Sequence, residues 1–442
     1  MITKTFMLPI FFLLCFGCKK ESPEMKSHRE MIRILAEKAE NINPETNLYA
    51  NKKRLSWLQE QSHDAYIATT LQHQTVIANE MLNAGYTRQS IDKYNRVLHT
   101  IDSLDLPAPK KFITALHDLL AITYLRLGEE TNCLDGHNAE SCIMPVRGSG
   151  VHRDKSGANN AIRVYRLLLE ENPDEYVYQW LLNIAYMIMG EYPEGVPDQW
   201  LIPQLMPSDS IQFPEFKEIA GLRGLDHISL AGGSIAEDFD QDGDFDIMVS
   251  SWGVDNQVQL FMNDGSGRFQ NNTKSSNLLG ITGGLNMVHG DYNNDGFADV
   301  LVLRGGWFGE DGKHPNSLLR NNGDGTFTDI TISANIYSEH PTQTASWGDY
   351  NNDGWLDLFI GNETTAGSYH LCEFYHNNGD GTFSDITRKV GLNVIGFVKG
   401  TVWGDFNNDG LIDLYISRLG EPNLFFKNSG PEKNYYFEEI SK

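Results

Sequence analysis

Residues 349–357 read Asp349-Tyr-Asn351-Asn-Asp353-Gly354-Trp355-Leu-Asp357, and this nine-residue pattern occurs four times in the second half of the chain. The copies begin at Asp238, Asp291, Asp349 and Asp405, so their starts are 53, 58 and 56 residues apart. Each copy has Asp or Asn at positions 1, 3 and 5, glycine at position 6 and Asp at position 9. A pattern that returns at so regular a spacing predicts repeated structural units of about 55 residues.

The residue types in these loops are those of a calcium site. Calcium takes six to eight oxygen ligands in flexible geometry, whereas magnesium demands a stricter octahedron and zinc prefers His or Cys. Positions 1, 3, 5 and 9 supply side-chain oxygens, position 7 supplies a backbone carbonyl, and glycine permits the turn. We therefore expect about four Ca²⁺ sites. The predicted ligands are Asp238, Asp240, Asp242, Asp244 and Asp246 in loop 1; Asp291, Asn293, Asp295, Phe297 and Asp299 in loop 2; Asp349, Asn351, Asp353, Trp355 and Asp357 in loop 3; and Asp405, Asn407, Asp409, Leu411 and Asp413 in loop 4.

The residues that follow each loop exclude an EF-hand. An EF-hand loop has a bidentate glutamate at its twelfth position. Here the twelfth positions lie in apolar runs typical of buried strands: Val249, Val302, Ile360 and Ile416. A variable loop, a strand that ends in a Gly/Asn turn, and a further strand that opens with Phe follow each run. Several short strands in such a unit are typical of a propeller blade.

Residues 216–442 resemble the integrin-type FG-GAP and VCBS repeat families. With the Phe-x-Asp-Ile-Thr signature at Phe327 and Phe383, they are most similar to cartilage-acidic-protein and ASPIC/UnbV-related bacterial proteins. The resemblance implies a calcium-binding propeller and no established reaction. It also implies seven blades, whereas four complete units fit here, so we expect a partial or truncated propeller. The alternative is a smaller ring, in which the strand at Phe437 completes a blade with the stretch near Phe216.

One position departs from the repeat. Glu237 stands immediately before loop 1, where the other units have Gly290, Gly348 and Gly404. We expect loop 1 to bind calcium nevertheless, because Asp240 adds a carboxylate where the other loops have Asn.

The first half of the chain shows helical periodicity. Residues 84–86 (Ala-Gly-Tyr) separate two helical stretches, and Asn172-Pro173 ends another. This pattern resembles tetratricopeptide (TPR) repeats, and an ordinary helical bundle is the alternative. Proline-rich sequence then marks a boundary. The predicted fold is multidomain, with an all-α TPR-like domain over residues 26–205 and all-β propeller blades over residues 206–442.

The N-terminus predicts an export signal. Residues 1–17 combine Lys4 with an apolar run too short to span a bilayer, and they resemble a bacterial lipoprotein signal in which Cys18 is acylated. Residues 18–25 are polar and are expected to form a tether. No later segment has the length to cross a membrane. We therefore expect a lipid-anchored protein of the bacterial cell envelope, attached to the membrane through this anchor only.

An insertion over residues 132–157 contains Cys133, His137, Cys142 and His152. In an oxidising compartment, the nine-residue separation predicts a disulfide between Cys133 and Cys142. The spacing lacks the Cys-x-x-Cys pairs typical of zinc or haem attachment, which leaves a metal- or haem-handling insertion as the alternative.

Charge and motifs favour a binding protein over an enzyme. The net charge of −24 repels nucleic acid and anionic lipid. No nucleophile elbow, phosphate-binding loop or dinucleotide fingerprint is present, and most aspartates of the repeats belong to loops or turns. We expect a non-enzymatic adhesion or scaffold module for an extracellular protein or glycan, and Trp307 and Phe308 in a long variable loop are candidate contacts. The alternatives are an exported hydrolase and the metal or haem function of the insertion.

Overall fold

The computed structural model describes residues 21–61, 67–134, 138, 140, 144–203, 205, 216–217 and 219–441. A helical region comes first, and four antiparallel sheets of four strands follow it. The helices are α1 (Pro23–Glu40), α2 (Asn51–Glu60), α3 (Ile67–Asn83), α4 (Thr87–Ser103), α5 (Lys110–Glu129), α6 (Ser156–Glu171), α7 (Tyr176–Met189) and α8 (Ala220–Arg223). None of the helices among these residues is long and apolar enough to cross a membrane. The export signal, Cys18 and Cys142 lie outside the described residues.

Helices α3 to α7 pack in sequence, each against the next. Their apolar faces share one buried cluster that includes Tyr94, Leu116 and Tyr165. The contact between α5 and α6 is close, because a Cβ atom on Gly157 would lie 2.6 Å from the carbonyl oxygen of Tyr124. The turn between α3 and α4 falls at the predicted position, with Gly85 at a φ of +83°.

Each sheet is an antiparallel meander in chain order. Sheet 1 contains β1 (Ala231–Glu237), β2 (Asp246–Ser251), β3 (Gln259–Asn263) and β4 (Phe269–Asn271). Sheet 2 contains β5 (Asn286–Gly290), β6 (Asp299–Leu303), β7 (Ser317–Asn321) and β8 (Phe327–Asp329). Sheet 3 contains β9 (Thr342–Gly348), β10 (Asp357–Asn362), β11 (Glu373–Asn377) and β12 (Phe383–Asp385). Sheet 4 contains β13 (Val398–Gly404), β14 (Asp413–Arg418), β15 (Leu424–Asn428) and β16 (Phe437–Glu439).

The strands that open with Phe are the last strands of their sheets, not the first strands of new units. Phe437 lies in β16, which pairs with β15 and completes sheet 4. Phe216, by contrast, lies outside the described strands. Among the described residues, sheet 4 has its four strands without any part of the stretch near Phe216.

Helix α1 packs against the repeats. Its Ser27 hydroxyl accepts hydrogen bonds from the backbone N–H groups of Ile332 and Ser333, at 3.1 and 3.4 Å. Leu35 joins the apolar cluster of sheets 1 and 2. At its ends, α1 forms ion pairs with the repeats: Glu24 with Arg320 at 2.6 Å and Lys38 with Glu339 at 2.7 Å. Because α1 begins at Pro23, the last residues of the expected tether already belong to this docked helix.

Candidate metal centre

Each Asp/Asn loop connects the first strand of its sheet to the second, and hydrogen bonds to its own backbone hold it in a tight coil. In loop 3, the Asp349 carboxylate accepts the N–H groups of Asp353 and Gly354 at 3.1 and 2.9 Å. The Asp353 carboxylate in turn accepts the N–H of Trp355 at 2.9 Å. The same three contacts recur in the other loops. The carboxylates at positions 1 and 5 are thus directed into the loop.

Position 3 has the same arrangement with either residue type. In loop 3, the Asn351 side-chain oxygen accepts the N–H of Asp353 at 3.3 Å, and its amide donates to the Asp353 carboxylate at 2.8 Å. Asp240 of loop 1 accepts the N–H of Asp242 at 3.2 Å. The oxygens of positions 1 and 3 therefore accept the same backbone N–H group, that of position 5, whereas the position 5 carboxylate accepts the N–H of position 7.

The carboxylate at position 9 is the buried member of each loop. Asp357 opens β10 and accepts the N–H groups of Tyr350 and Asn377, at 3.3 and 2.8 Å. It thereby ties the loop to the third strand of its sheet. Equivalent bonds are made at position 9 of the other three loops: Asp246, Asp299 and Asp413.

Burial makes the charged form of these carboxylates costly. It raises the pKa of Asp299 to about 8 and that of Asp246 to about 6, and neighbouring loop carboxylates add to both shifts. The pKa values of Asp357 and Asp413 are raised for the same reason, burial. A cation held by the loop would oppose this cost and favour the ionised carboxylates that calcium requires.

Loop 1 provides a direct distance test of a shared cation. Oxygens of Asp238, Asp240 and Asp246 all lie within 4.8 Å of one another. Two oxygens that bind one Ca²⁺ ion at about 2.4 Å can be at most about 4.8 Å apart, so this grouping fits one ion. Glu237, the departure before loop 1, points instead to the next sheet, where its carboxylate lies 3.2 Å from His289.

The residue at position 7 has two roles. Its backbone carbonyl is expected to bind the metal, and its side chain packs on a neighbouring turn. The Trp355 side chain lies over the hairpin turn at Gly379, where an added Cβ atom would be only 3.0 Å from the indole ring. Phe297 covers Gly323 in the same way. Both turn glycines have positive φ, so the turn needs glycine for two reasons.

Sequence reasoning missed position 4, which links successive loops. Its side chain donates to the carbonyl oxygen of the position 6 glycine in the next loop. The bonds are Gln241 to Gly296 at 2.6 Å, Asn294 to Gly354 at 2.9 Å and Asn352 to Gly410 at 2.8 Å. All three donors have φ near +60°, which Asn adopts more readily than most residues. The sequence signal that could have revealed this link is the Asn that recurs at position 4, where no metal ligand is expected.

A second link runs in the opposite direction. The Asn that ends the third strand of a sheet donates to the position 2 carbonyl of the preceding loop. The bonds are Asn321 to Phe239, Asn377 to Tyr292 and Asn428 to Tyr350, each 2.8 Å long. Because both links pass between neighbouring sheets, the four loops form one connected series.

The two candidate aromatic contacts have different surroundings. Phe308 stacks against Trp252 at 5.4 Å between ring centroids and lies 5.5 Å from Tyr49 of the helical region. Trp307 is 43% exposed, and the ammonium of Lys399 lies 3.3 Å from the centre of its ring. Phe308 therefore has an internal packing role, whereas Trp307 remains partly exposed.

The structure describes only part of the Cys/His insertion. Cys133 Sγ lies 3.9 Å from His152 Nε2. Since His137 and Cys142 lie outside the described residues, the disulfide stays a prediction.

Comparison with known proteins identifies the class of repeat. A family model described as "FG-GAP-like repeat" matches residues 238–302, 307–360 and 349–416. Each match includes at least one of the four loops and the strand behind it. These segments are FG-GAP-like repeats.

Three relatives carry the name cartilage acidic protein 1. The chain is 28% identical to the Xenopus tropicalis protein over 157 residues, which are 35% of this chain and 22% of that protein. It is 29% identical to the Homo sapiens protein over 106 residues (24% and 16%) and 27% identical to the Mus musculus protein over 185 residues (40% and 28%). The matched segments span less than a third of the length of these relatives.

Proposed function

We propose that this chain is a calcium-binding, non-enzymatic repeat protein that acts as an adhesion or scaffold module outside the cytoplasm. FG-GAP-like repeats suggest a binding module. Calcium binding is supported most directly by loop 1, where three carboxylates approach closely enough to share one ion. The same backbone contacts recur in loops 2 to 4, which supports four equivalent sites.

The negative charge of the loops favours a bound cation over turns that are held by hydrogen bonds alone. Loop 1 has four carboxylates at positions 1, 3, 5 and 9, where side chains would bind the metal, and each other loop has three. Like charges a few ångströms apart repel by several kcal/mol even at a high effective dielectric constant. Calcium would remove this repulsion and fix the entry to the strand behind the loop. The flexible oxygen donors and the glycine turn suit calcium better than magnesium or zinc.

Calcium stoichiometry tests this proposal. Asp353→Asn keeps the size of the side chain but removes one carboxylate from loop 3, so titration calorimetry should count one site fewer, or find one site weakened by more than tenfold. The matched control is Asp380→Asn, because Asp380 lies in a hairpin turn of the same sheet and bonds Thr382 at 3.0 Å outside the loop. The control should retain every site. Equal stoichiometry for the wild type and Asp353→Asn would contradict the proposal.

We also propose a propeller arrangement for the repeats and a TPR-like fold for the helical region. The successive sheets support a propeller arrangement, and the hairpin at Gly85 together with the close contact at Gly157 supports a TPR-like scaffold. The partner we propose is an extracellular protein or glycan. The exposed part of Trp307 offers an aromatic surface for stacking.

We also propose that the protein is held in the cell envelope by a lipid on Cys18. The apolar signal that ends at this cysteine supports the idea. Cys18→Ser should move the protein from the membrane fraction to the soluble fraction, and mass spectrometry should find an acylated N-terminal cysteine only in the wild type. An unmodified N-terminus at another residue would contradict the anchor.

A further inference from the structure

A lysine, a glutamine and a glutamate meet where sheets 3 and 4 adjoin. The Lys399 side-chain nitrogen donates to the side-chain oxygen of Gln343 at 2.7 Å and forms an ion pair with the Glu363 carboxylate. Gln343 lies in β9, Lys399 lies in β13, and Glu363 directly follows β10. Two neighbouring sheets therefore bring together an amine, a carboxamide and a carboxyl group. We call Lys399, Gln343 and Glu363 the junction cluster.

Strand irregularities place the amine and the amide at equivalent points of their sheets. The pairing of β9 with β10 skips Gln343, and the pairing of β13 with β14 skips Lys399. A bulged residue has no direct partner on the neighbouring strand, and bulges commonly re-aim a side chain. Both residues stand six positions before the loop of their sheet, where sheets 1 and 2 have Gly232 and Leu285. The two reactive groups therefore occupy the same repeat position in adjacent sheets.

Aromatic rings cover the amine of the junction cluster. The Lys399 nitrogen lies 3.3 Å from the centre of the Trp307 ring and 4.0 Å from that of Phe397. The side chains of Lys399 and Glu363 are 16% and 1% exposed. Glu363 is fixed from two sides, since its backbone forms a bridge with Phe397 and its carboxylate accepts the Trp307 N–H at 2.6 Å. These contacts hold the amine against the amide, and such positioning accelerates a reaction between two groups.

Burial opposes the charged forms of the ion pair. It lowers the pKa of Lys399 and raises the pKa of Glu363. Both shifts favour the transfer of one proton from the ammonium to the carboxylate, which leaves a neutral amine beside a carboxylic acid. A neutral amine can act as a nucleophile, and a carboxyl group can carry protons during acyl transfer.

We propose that the junction cluster forms an isopeptide bond between Lys399 and Gln343 in the folded chain. The neutral Lys399 nitrogen attacks the side-chain carbonyl carbon of Gln343, and a new C–N bond forms there. Glu363 accepts a proton from the attacking nitrogen and donates one to the leaving nitrogen of the amide. The old C–N bond breaks and ammonia leaves, so the step needs no oxidant, reductant or further reactant. It occurs once in each chain and acts on no other substrate.

The bond connects the first strands of sheets 3 and 4. A covalent link between distant residues restricts the unfolded chain, as a disulfide does. In an adhesion or scaffold module, such a link keeps neighbouring sheets together when a partner pulls on one of them. The inference is independent of calcium binding, because none of the three groups belongs to an Asp/Asn loop.

A second contact between a lysine and a glutamine provides an internal control. Lys93 of α4 donates to the side-chain oxygen of Gln74 in α3 at 2.6 Å. Among the described residues, the charged group that acts on Lys93 is Arg96, and no carboxylate pairs with it. This helical pair has the amine and the amide without the proton carrier, so it should stay unlinked. Proximity alone would link both pairs.

Peptide mapping of the purified full chain, denatured and digested with trypsin, tests the proposal. Trypsin does not cut after a lysine whose side chain is acylated. Residues 390–418 should therefore be found joined to residues 321–388, and the free peptide 390–399 should be absent. The joined peptides should weigh about 17 Da less than their sum, because ammonia is lost. In the same digest, trypsin should cut normally after Lys93.

Variants of the junction cluster identify the groups that react. Gln343→Met removes the amide and Glu363→Gln removes the proton carrier, so each should restore the free peptide 390–399. Lys427→Arg is the control and should keep the link, because Lys427 pairs with Asp409 at 3.6 Å outside the cluster. Circular dichroism verifies folding of all variants. An unlinked wild type, a loss of about 18 Da that assigns the bond to Glu363, a link that persists in either cluster variant, or a link in the helical pair would overturn the proposal.

Discussion

The helical region and the repeat region bury different kinds of groups. In the helical region, the cluster around Tyr94, Leu116 and Tyr165 is apolar, and close helix contacts stabilise it. In the repeats, every sheet buries an aspartate at the start of its second strand, and burial raises the pKa of that carboxylate. The helical region also buries a carboxylate, that of Glu80, but Arg54 lies 3.4 Å from it. The repeats instead accumulate loop carboxylates whose negative charge a cation can neutralise.

Helix α1 shares features of both regions. Its local structure is that of the helical region, but its ion pairs and its Ser27 hydrogen bonds are made with sheet 2 and the segment after it. The assignment of a segment to a region thus depends on what its side chains contact, not on its secondary structure.

Removal of calcium should cause the largest difference in stability between the two regions. At a free concentration of about twenty times Kd, each site adds about 1.8 kcal/mol, so four sites add about 7 kcal/mol. For a region of this size, a chelator should lower the melting temperature of the repeats by about 15 °C and leave the helical transition unchanged. Differential scanning calorimetry with and without EGTA measures both transitions. Equal shifts in both would contradict the contrast.

Substitutions at the junctions between neighbouring sheets should have the next largest effect on stability. Gly348→Glu places a side chain where Ile412 and Trp403 lie within 2.8 Å of a Cβ atom, and overpacking should cost about 3 kcal/mol. The matched change is Glu237→Gly at the equivalent position of sheet 1, where His289 leaves room for a longer side chain. This control should cost less than about 1 kcal/mol. Melting in saturating calcium compares the two, and a Gly348→Glu variant as stable as the wild type would contradict the steric argument.

The sequence predicted the loops and the strands behind them because ligand type and apolar runs are local signals. It did not predict where each sheet begins, since a period gives the length of a repeat but not its starting point. The small-ring alternative joined the strand at Phe437 to the stretch near Phe216, whereas this strand pairs with β15 of its own sheet. Position 4 was missed because Asn294 and Asn352 bind no metal, and their partners lie in the next loop. Nor does helical periodicity reveal that Ser27 contacts the segment after sheet 2.

The docking of α1 should depend on pH through His28. The buried His28 Nδ1 accepts the backbone N–H of Asp329 at 2.9 Å, which requires a neutral acceptor. Burial lowers the pKa of His28 below 6.5, and the nearby Asp329 carboxyl opposes the shift only in part. A lowered pKa means that this stabilisation is present above pH 6.5 and is lost as pH falls below it.

Hydrogen exchange of residues 23–40 measures this effect. Between pH 7.5 and pH 5.5, corrected for intrinsic exchange rates, protection of α1 should fall by up to about 1 kcal/mol, while protection of α5 should not change. His28→Gln keeps a side-chain acceptor that does not titrate in this range, so its α1 protection should be independent of pH. The same loss of protection in this variant would show that another group is responsible.

The smallest expected effect is at the pair of Glu237 and His289, the feature that distinguishes the first junction from the later ones. The two side chains are partly exposed and 3.2 Å apart, so their interaction contributes less than about 1 kcal/mol after screening by solvent. Glu237→Gln should therefore lower the melting temperature of the repeats by no more than about 2 °C and should make it less dependent on salt. Calorimetry at low and high sodium chloride measures both quantities. A loss as large as that of Gly348→Glu would show that charge, and not space, controls this position in sheet 1.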